Sequence, residues 1–164
     1  MSYWENNGQS DEWYTPQYIF DALECEFDTD VAAPIDKTFC CVPAKSFITE
    51  NSLSASWEGF IWCNPPFGGR NGIEPWAEKV IKQGTGIILT PDRTSTAWWQ
   101  KLAHRSHEIL FIHGKVKFIR PDGSEGKSPS NGTTLFGFGE NAIRALHNAQ
   151  KNRLGIICKS SLEY

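Results

Sequence analysis

The chain has 164 residues, with 40% hydrophobic and 13% aromatic residues and a formal net charge of −3. That length fits one domain able to bury a sizeable core, and no apolar run approaches the roughly 18 residues that a membrane span needs. Five cysteines (Cys25, Cys40, Cys41, Cys63 and Cys158) form no Cys-x-x-Cys pair and are odd in number, which argues against a zinc ribbon or a disulfide framework.

The N-terminus is polar and acidic and lacks the apolar core of a secretory signal, so a reduced, intracellular protein is expected. His104 and His107 sit three apart with no cysteine or carboxylate at ligand spacing, so no metal site is expected. Charge is unevenly spread. Residues 1–60 hold two Lys+Arg against eleven Asp+Glu, and residues 61–164 hold fourteen against eight. The balances are −9 and +6, so an acidic total still allows one basic face that meets phosphates.

Taken in order, residues 1–10 are polar and aperiodic and read as a flexible arm. Residues 11–164 read as a single domain. Thr15 suits a helix cap and Pro16 the first turn of a helix over 17–24, where Tyr18, Ile19, Ala22 and Leu23 share a stripe. Residues 27–34 read as a strand ending in an acidic, small-residue turn, Asp30-Val31-Ala32-Ala33-Pro34. Ligands bind at such strand ends in α/β proteins, which makes Asp30 a candidate, and Asp28 a weaker one. Residues 35–56 carry no sustained period and predict an irregular segment or short strands.

Further on, 73–83 predicts a helix stopped by Gly84, and 86–91 a buried strand. A helix over 94–106 follows, with Thr94 suited to cap it. Residues 108–114 predict a strand that 116–119 continues or pairs with. The polar stretch 121–132 is a loop, 133–139 a strand, 142–150 a helix and 154–158 a last strand. Strands alternating with helices predict a three-layer α/β sheet.

The chemistry concentrates in residues 60–68, a short apolar strand that stops at Asn64-Pro65-Pro66-Phe67. Neither proline donates an N–H, and each disfavours helical geometry in the residue before it, so the turn is stiff and extended. It holds the carbonyls of Asn64 and Pro65 and the Asn64 amide beside an aromatic ring. Such a set accepts hydrogen bonds from an exocyclic amine while Phe67 stacks on a planar base. Adjacent prolines alone arise by chance at roughly one position in four hundred. Requiring Asn before and an aromatic after makes the run rarer still.

Together with that motif, Trp13-Tyr14-Thr15-Pro16, Asp30-Val31-Ala32-Ala33, Pro91-x-Arg93-Thr94-x-Thr96-x-Trp98-Trp99, the run 111–118 and Ser128-Pro129-Ser130 resemble the phage-type DNA N6-adenine methyltransferase (Dam) family. The resemblance covers about residues 11 to 139. It implies a Rossmann-like methyltransferase fold of reduced size, three-layered, with a mixed, mostly parallel sheet. It also implies S-adenosylmethionine as methyl donor, and adenine N6 in DNA, flipped out or single-stranded, as acceptor.

The resemblance implies that Asn64, Pro65, Pro66 and Phe67 form the catalytic set. It sets Trp13, Tyr14, Thr15, Pro16, Asp30 and Ala32 at the cofactor. Arg70, Arg93, Lys115, Lys117, Arg120 and Lys127, with Lys101 and Arg105 in the same pool, are candidate phosphate contacts. No membrane partner is implied, and the location would be the cytoplasm, that of the host for a phage protein, where methylation protects DNA from restriction. The chain departs from the broader methyltransferase pattern at Ala32-Ala33-Pro34, where a glycine-rich turn usually stands. Asp36 and Glu50 are the candidates for a ribose-binding carboxylate. The same geometry also serves cytosine N4, an RNA adenine or a protein glutamine, and a catalytically idle DNA-binding or shielding protein is a reading from another class.

Overall fold

Apolar runs with β-branched and aromatic residues pair into one seven-stranded sheet in the computed structural model, which describes residues 13–67 and 72–159. The strands are β1 (Phe27–Asp30), β2 (Ala44–Phe47), β3 (Ile61–Cys63), β4 (Gly86–Pro91), β5 (Glu108–Ile112), β6 (Thr133–Phe138) and β7 (Gly155–Lys159). The helices are α1 (Gln17–Leu23), α2 (Glu74–Gln83), α3 (Ala97–Arg105) and α4 (Glu140–Lys151). Residues 1–10, read as an arm, lie outside the described residues, as does Arg70.

Sheet order is β2-β1-β3-β4-β6-β5-β7. β1 pairs in parallel with β2 and β3, and β3 with β4. β6 runs antiparallel between β4 and β5, and β7 antiparallel on β5. The sheet is therefore mixed, with β1 to β5 all pointing one way and three of six pairings parallel.

The period-two alternation of strand side chains sorts two cores onto its faces. Trp62, Ile87, Leu89, Leu110 and Leu135 pack under α1 and α4 with Ile19, Leu23, Ala145 and Leu146. Ile61, Cys63, Ile88, Ile109 and Phe136 pack on the other face under α2 and α3 with Val80, Trp99 and Leu102. This is the expected three-layer arrangement. Trp62 anchors the first core, its ring 4.9 Å from Phe20 and 5.4 Å from Phe27.

Helix ends follow local chemistry with three corrections to the sequence reading. α2 stops at Gly84, whose φ of 71° suits glycine, as expected. α3 is capped by Thr96, not Thr94; the Thr96 hydroxyl accepts from Trp99 N. Pro16 stands one position ahead of α1 with extended dihedrals, and no side chain caps that helix. The hydroxyl of Thr15 is engaged elsewhere. Residues 116–119 do not join the sheet. Val116 and Phe118 are buried in the core, and Ile119 makes isolated bridges with Tyr14 and Glu125. In the stretch without periodicity lie the edge strand β2 and a single 3-10 turn, Ser52–Ser54.

Candidate active site

Five parallel strands deliver their carboxyl ends to one edge of the sheet, and β1 has β2 on one side and β3 on the other. A crevice opens where strand order reverses in this way. Here it is a cavity of about 290 Å3 bounded by Trp13, Asp30, Ala32, Glu50, Asn64 and Phe67 among others. Tyr14, Thr15, Pro65 and Pro66 also line it, so residues read from three separate motifs meet in one space. Pro16 is buried and does not line the cavity. Its ring serves the entry into α1.

Asn64 follows β3 directly, and the prolines hold the chain extended so that its side chain stays at the strand end. Its Nδ2 donates to the Trp13 carbonyl at 3.1 Å and to Thr15 Oγ1 at 3.2 Å. With the nitrogen engaged, Oδ1 is the end of the amide left to accept a bond in the cavity. Pro65 is buried, Pro66 exposed and Phe67 half-buried beside it.

Asp30 closes β1 and is only 2% exposed. Its Oδ1 accepts from Ala32 N at 3.1 Å, and no cation pairs with it among the described residues. Burial outweighs that hydrogen bond and pushes the carboxyl up to about 7. The turn after it is pinned on both sides: Val31 N donates to Trp62 O, Ala33 N to Ile48 O, and Ile48 N to Asp30 O. No residue from 31 to 34 has a positive φ, so the turn keeps its shape with alanines in place of glycine. Asp28, one pleat earlier, is spent on structure. Its Oδ2 accepts from Phe60 N at 2.8 Å and its Oδ1 faces Lys45.

The opposite wall is the segment after β2. Lys79 donates to the carbonyls of Ser52, Leu53 and Ala55, and its ammonium lies 4.7 Å from the centre of the Trp57 ring. Trp57 Nε1 in turn donates to Ser52. This clamp fixes the 3-10 turn Ser52–Ser54, two residues after Glu50, which lines the cavity. Asp36, the other candidate carboxylate, does not line the cavity. Its carboxylate accepts from Thr38 N and Oγ1, which holds it below the usual range. Sequence reasoning missed Ile48, Thr49, Ser52 and Trp76 as lining residues, since nothing local marks them. Burial raises the thiols of Cys25 (to about 12), Cys40, Cys41 and Cys63, so none is primed as a nucleophile. Among the described residues no group of three His, Cys, Asp or Glu could hold a metal ion, and no helix is long and apolar enough to cross a membrane.

The basic candidates divide by sheet edge. Arg93 follows the carboxyl end of β4, and Lys115, Lys117, Arg120 and Lys127 lie between β5 and β6, so all sit at the edge that carries Asn64. Arg120 stands 5.8 Å from the centre of the Trp13 ring and donates to Glu125 O. Lys117 pairs with Glu125 at 3.2 Å, and Lys115 donates to Ser130 O. Two members of the pool are placed differently. Arg105 ends α3 at the far edge, where β5 begins, and Lys101 is held by Glu74 and Glu78 of α2 at 3.3 and 2.9 Å.

A mixed α/β sheet with a reversal-point cavity, an Asn-Pro-Pro-Phe turn and a buried carboxylate that pairs with no cation among the described residues is consistent with a small methyltransferase-like fold. The model of the DNA N-6-adenine-methyltransferase (Dam) family matches residues 5–153, and the chain belongs to that family. No curated protein and no solved structure matches it. The family acts on adenine N6 in DNA, and a methyltransferase family implies S-adenosylmethionine as the donor.

Proposed function

We propose that this chain transfers the methyl group of S-adenosylmethionine to adenine N6 in DNA, acting on a base taken out of the stack. The observation that carries this reading is the meeting of Asn64 and Asp30 in one cavity at the sheet's reversal point. The residues present fit the donor. Asp30 is a buried carboxylate in want of a cation, suited to an ammonium, and Glu50 is suited to ribose hydroxyls. Trp13, Tyr14 and Ala32 offer apolar and aromatic wall. Bound there, the donor supplies an electrophilic sulfonium methyl.

The acceptor chemistry belongs to the chain. The lone pair of adenine N6 is delocalised into the ring and is a poor nucleophile. Asn64 Oδ1 and the Pro65 carbonyl accept the two N6 hydrogens and favour a more tetrahedral nitrogen, whose lone pair is then available for attack. Catalysis is thus positioning and electrostatics rather than covalent participation. Phe67 stacks on the base, and Pro66 keeps the turn rigid. A paired base cannot reach such a site, which is why flipping or a single strand is required. Arg93, Lys115, Lys117, Arg120 and Lys127, with Arg70, form the phosphate-binding set. One domain over residues 11–164 carries all of this, with short or weak sequence specificity.

The test is transfer from labelled S-adenosylmethionine to unmethylated DNA, with nucleoside analysis of the product. Label on adenine N6 that disappears in Asn64→Ala supports the reading. Label on cytosine would move the acceptor to N4, and transfer that survives the substitution would remove Asn64 from its role.

A further inference from the structure

We infer that the Trp13 carbonyl decides which end of the Asn64 amide faces the acceptor, and that Thr15 is a positioning residue whose hydroxyl holds the amide in that orientation. The inference rests on the proposed role of Asn64 and adds a task to a segment otherwise read as cofactor wall. The two ends of a primary amide are nearly equal in size, so packing alone does not choose between them. Chemistry does. The Trp13 carbonyl can only accept, and it lies 3.1 Å from one end of the Asn64 amide. Turning the amide over would set Oδ1 against that carbonyl, two acceptors facing each other. Thr15 Oγ1, 3.2 Å from the same end, takes a bond from the same nitrogen. Thr15 is 3% exposed, so an isosteric side chain in its place leaves little room for a water to substitute for the hydroxyl.

The two acceptors are themselves anchored. Tyr14, between them, exchanges both backbone hydrogen bonds with Ile119 at 2.9 Å each, and its hydroxyl donates to Asp36 O. A segment about fifty residues before the turn in sequence therefore supplies the orientation that the Asn-Pro-Pro-Phe run lacks on its own. An aspartate at position 64 would have no N–H to offer and would face the Trp13 carbonyl with a charged oxygen.

The experiment compares Thr15→Val, which keeps the shape and removes the hydroxyl, with Thr15→Ser, which keeps the hydroxyl. Three quantities are read: kcat for methyl transfer, Kd for S-adenosylmethionine by calorimetry, and hydrogen exchange of the Asn64 side-chain amide by 1H–15N NMR. The Asn64 signals are assigned by their loss in Asn64→Asp. The expected result is that Thr15→Val lowers kcat at saturating donor roughly 10- to 100-fold, beyond any change in donor Kd, and speeds Asn64 exchange about tenfold or more. Thr15→Ser restores all three. A Thr15→Val protein with unchanged kcat and unchanged exchange, or one whose loss lies wholly in donor Kd, overturns the inference. If the wild type transfers no methyl to adenine, the proposed activity fails, while the exchange comparison still decides whether Thr15 orients the amide.

Discussion

Ala32 donates its backbone N–H to Asp30 Oδ1 at 3.1 Å, the one hydrogen bond that this buried carboxylate receives among the described residues. A turn two residues long thus holds an acid in place without neutralising it, and the acid remains available to a cationic ligand. The consequence is a pH dependence of opposite sign for the free and the loaded protein.

For the free protein, the Asp30 carboxyl titrates near 7 when folded and near its ordinary 3.8 when unfolded. Between those values the folded state holds the extra proton, so stability falls as pH rises from about 4 to about 7 and is level beyond. The displacement corresponds to on the order of 4 kcal/mol. Asp30→Asn removes it. Urea midpoints at pH 5 and pH 8 check this: the gap between them narrows in the variant, and the variant is the more stable protein at pH 8.

Donor binding runs the other way. An ammonium requires the ionised carboxylate, so affinity for S-adenosylmethionine weakens as pH falls below about 7, approaching tenfold per pH unit well below it. In Asp30→Asn the affinity is low and flat. Calorimetric titration from pH 5.5 to 8.5 measures both curves.

Gly59 has φ +68°, and a Cβ there would lie 2.2 Å from Asp28 Oδ2, the atom that accepts from Phe60 N. Gly59→Ala therefore strains the backbone and breaks the bond that aligns β1 with the entry to β3. We expect a loss of about 1–3 kcal/mol in chemical denaturation. Donor affinity falls with it, since Asp30 and Asn64 lie at the far ends of those strands.

The side chain of Arg93 makes no hydrogen bond or ion pair among the described residues and lies at the edge of the sheet that carries Asn64. Arg93→Ala should weaken DNA binding and reduce the slope of log K against log salt by about 0.9, one phosphate contact. Arg105→Ala, at the opposite edge, and Lys101→Ala, already held by two glutamates, should leave the slope unchanged. Fluorescence anisotropy with a labelled duplex over a salt series distinguishes them.

Trp62 is 1% exposed and meets Phe20 and Phe27 through ring contacts, so it ties β3 to α1 and β1. Trp62→Ala opens a large cavity and should cost about 3–5 kcal/mol. Because β3 carries Asn64, activity should fall together with the thermal midpoint, and the loss should be recovered in part by Trp62→Phe.

Much of this molecule is written locally. Continuous apolar runs set β4, β5 and β6, Gly84 stops α2, and the Asn64–Phe67 turn declares its own stiffness, because propensity, periodicity and proline geometry act within a few residues. β2 was not legible, since four residues of mixed burial at a sheet edge leave no apolar signature. Tertiary structure alone decided the rest. It inserted β6 between β4 and β5, and it brought Thr15 to Asn64 across 49 residues. It gave Lys101 to two acids of α2 and took Asp30 out of water. A hydrogen-bond partner, an ion pair and a desolvated carboxylate are each set by atoms that the chain reaches only after folding, so no window of sequence contains them.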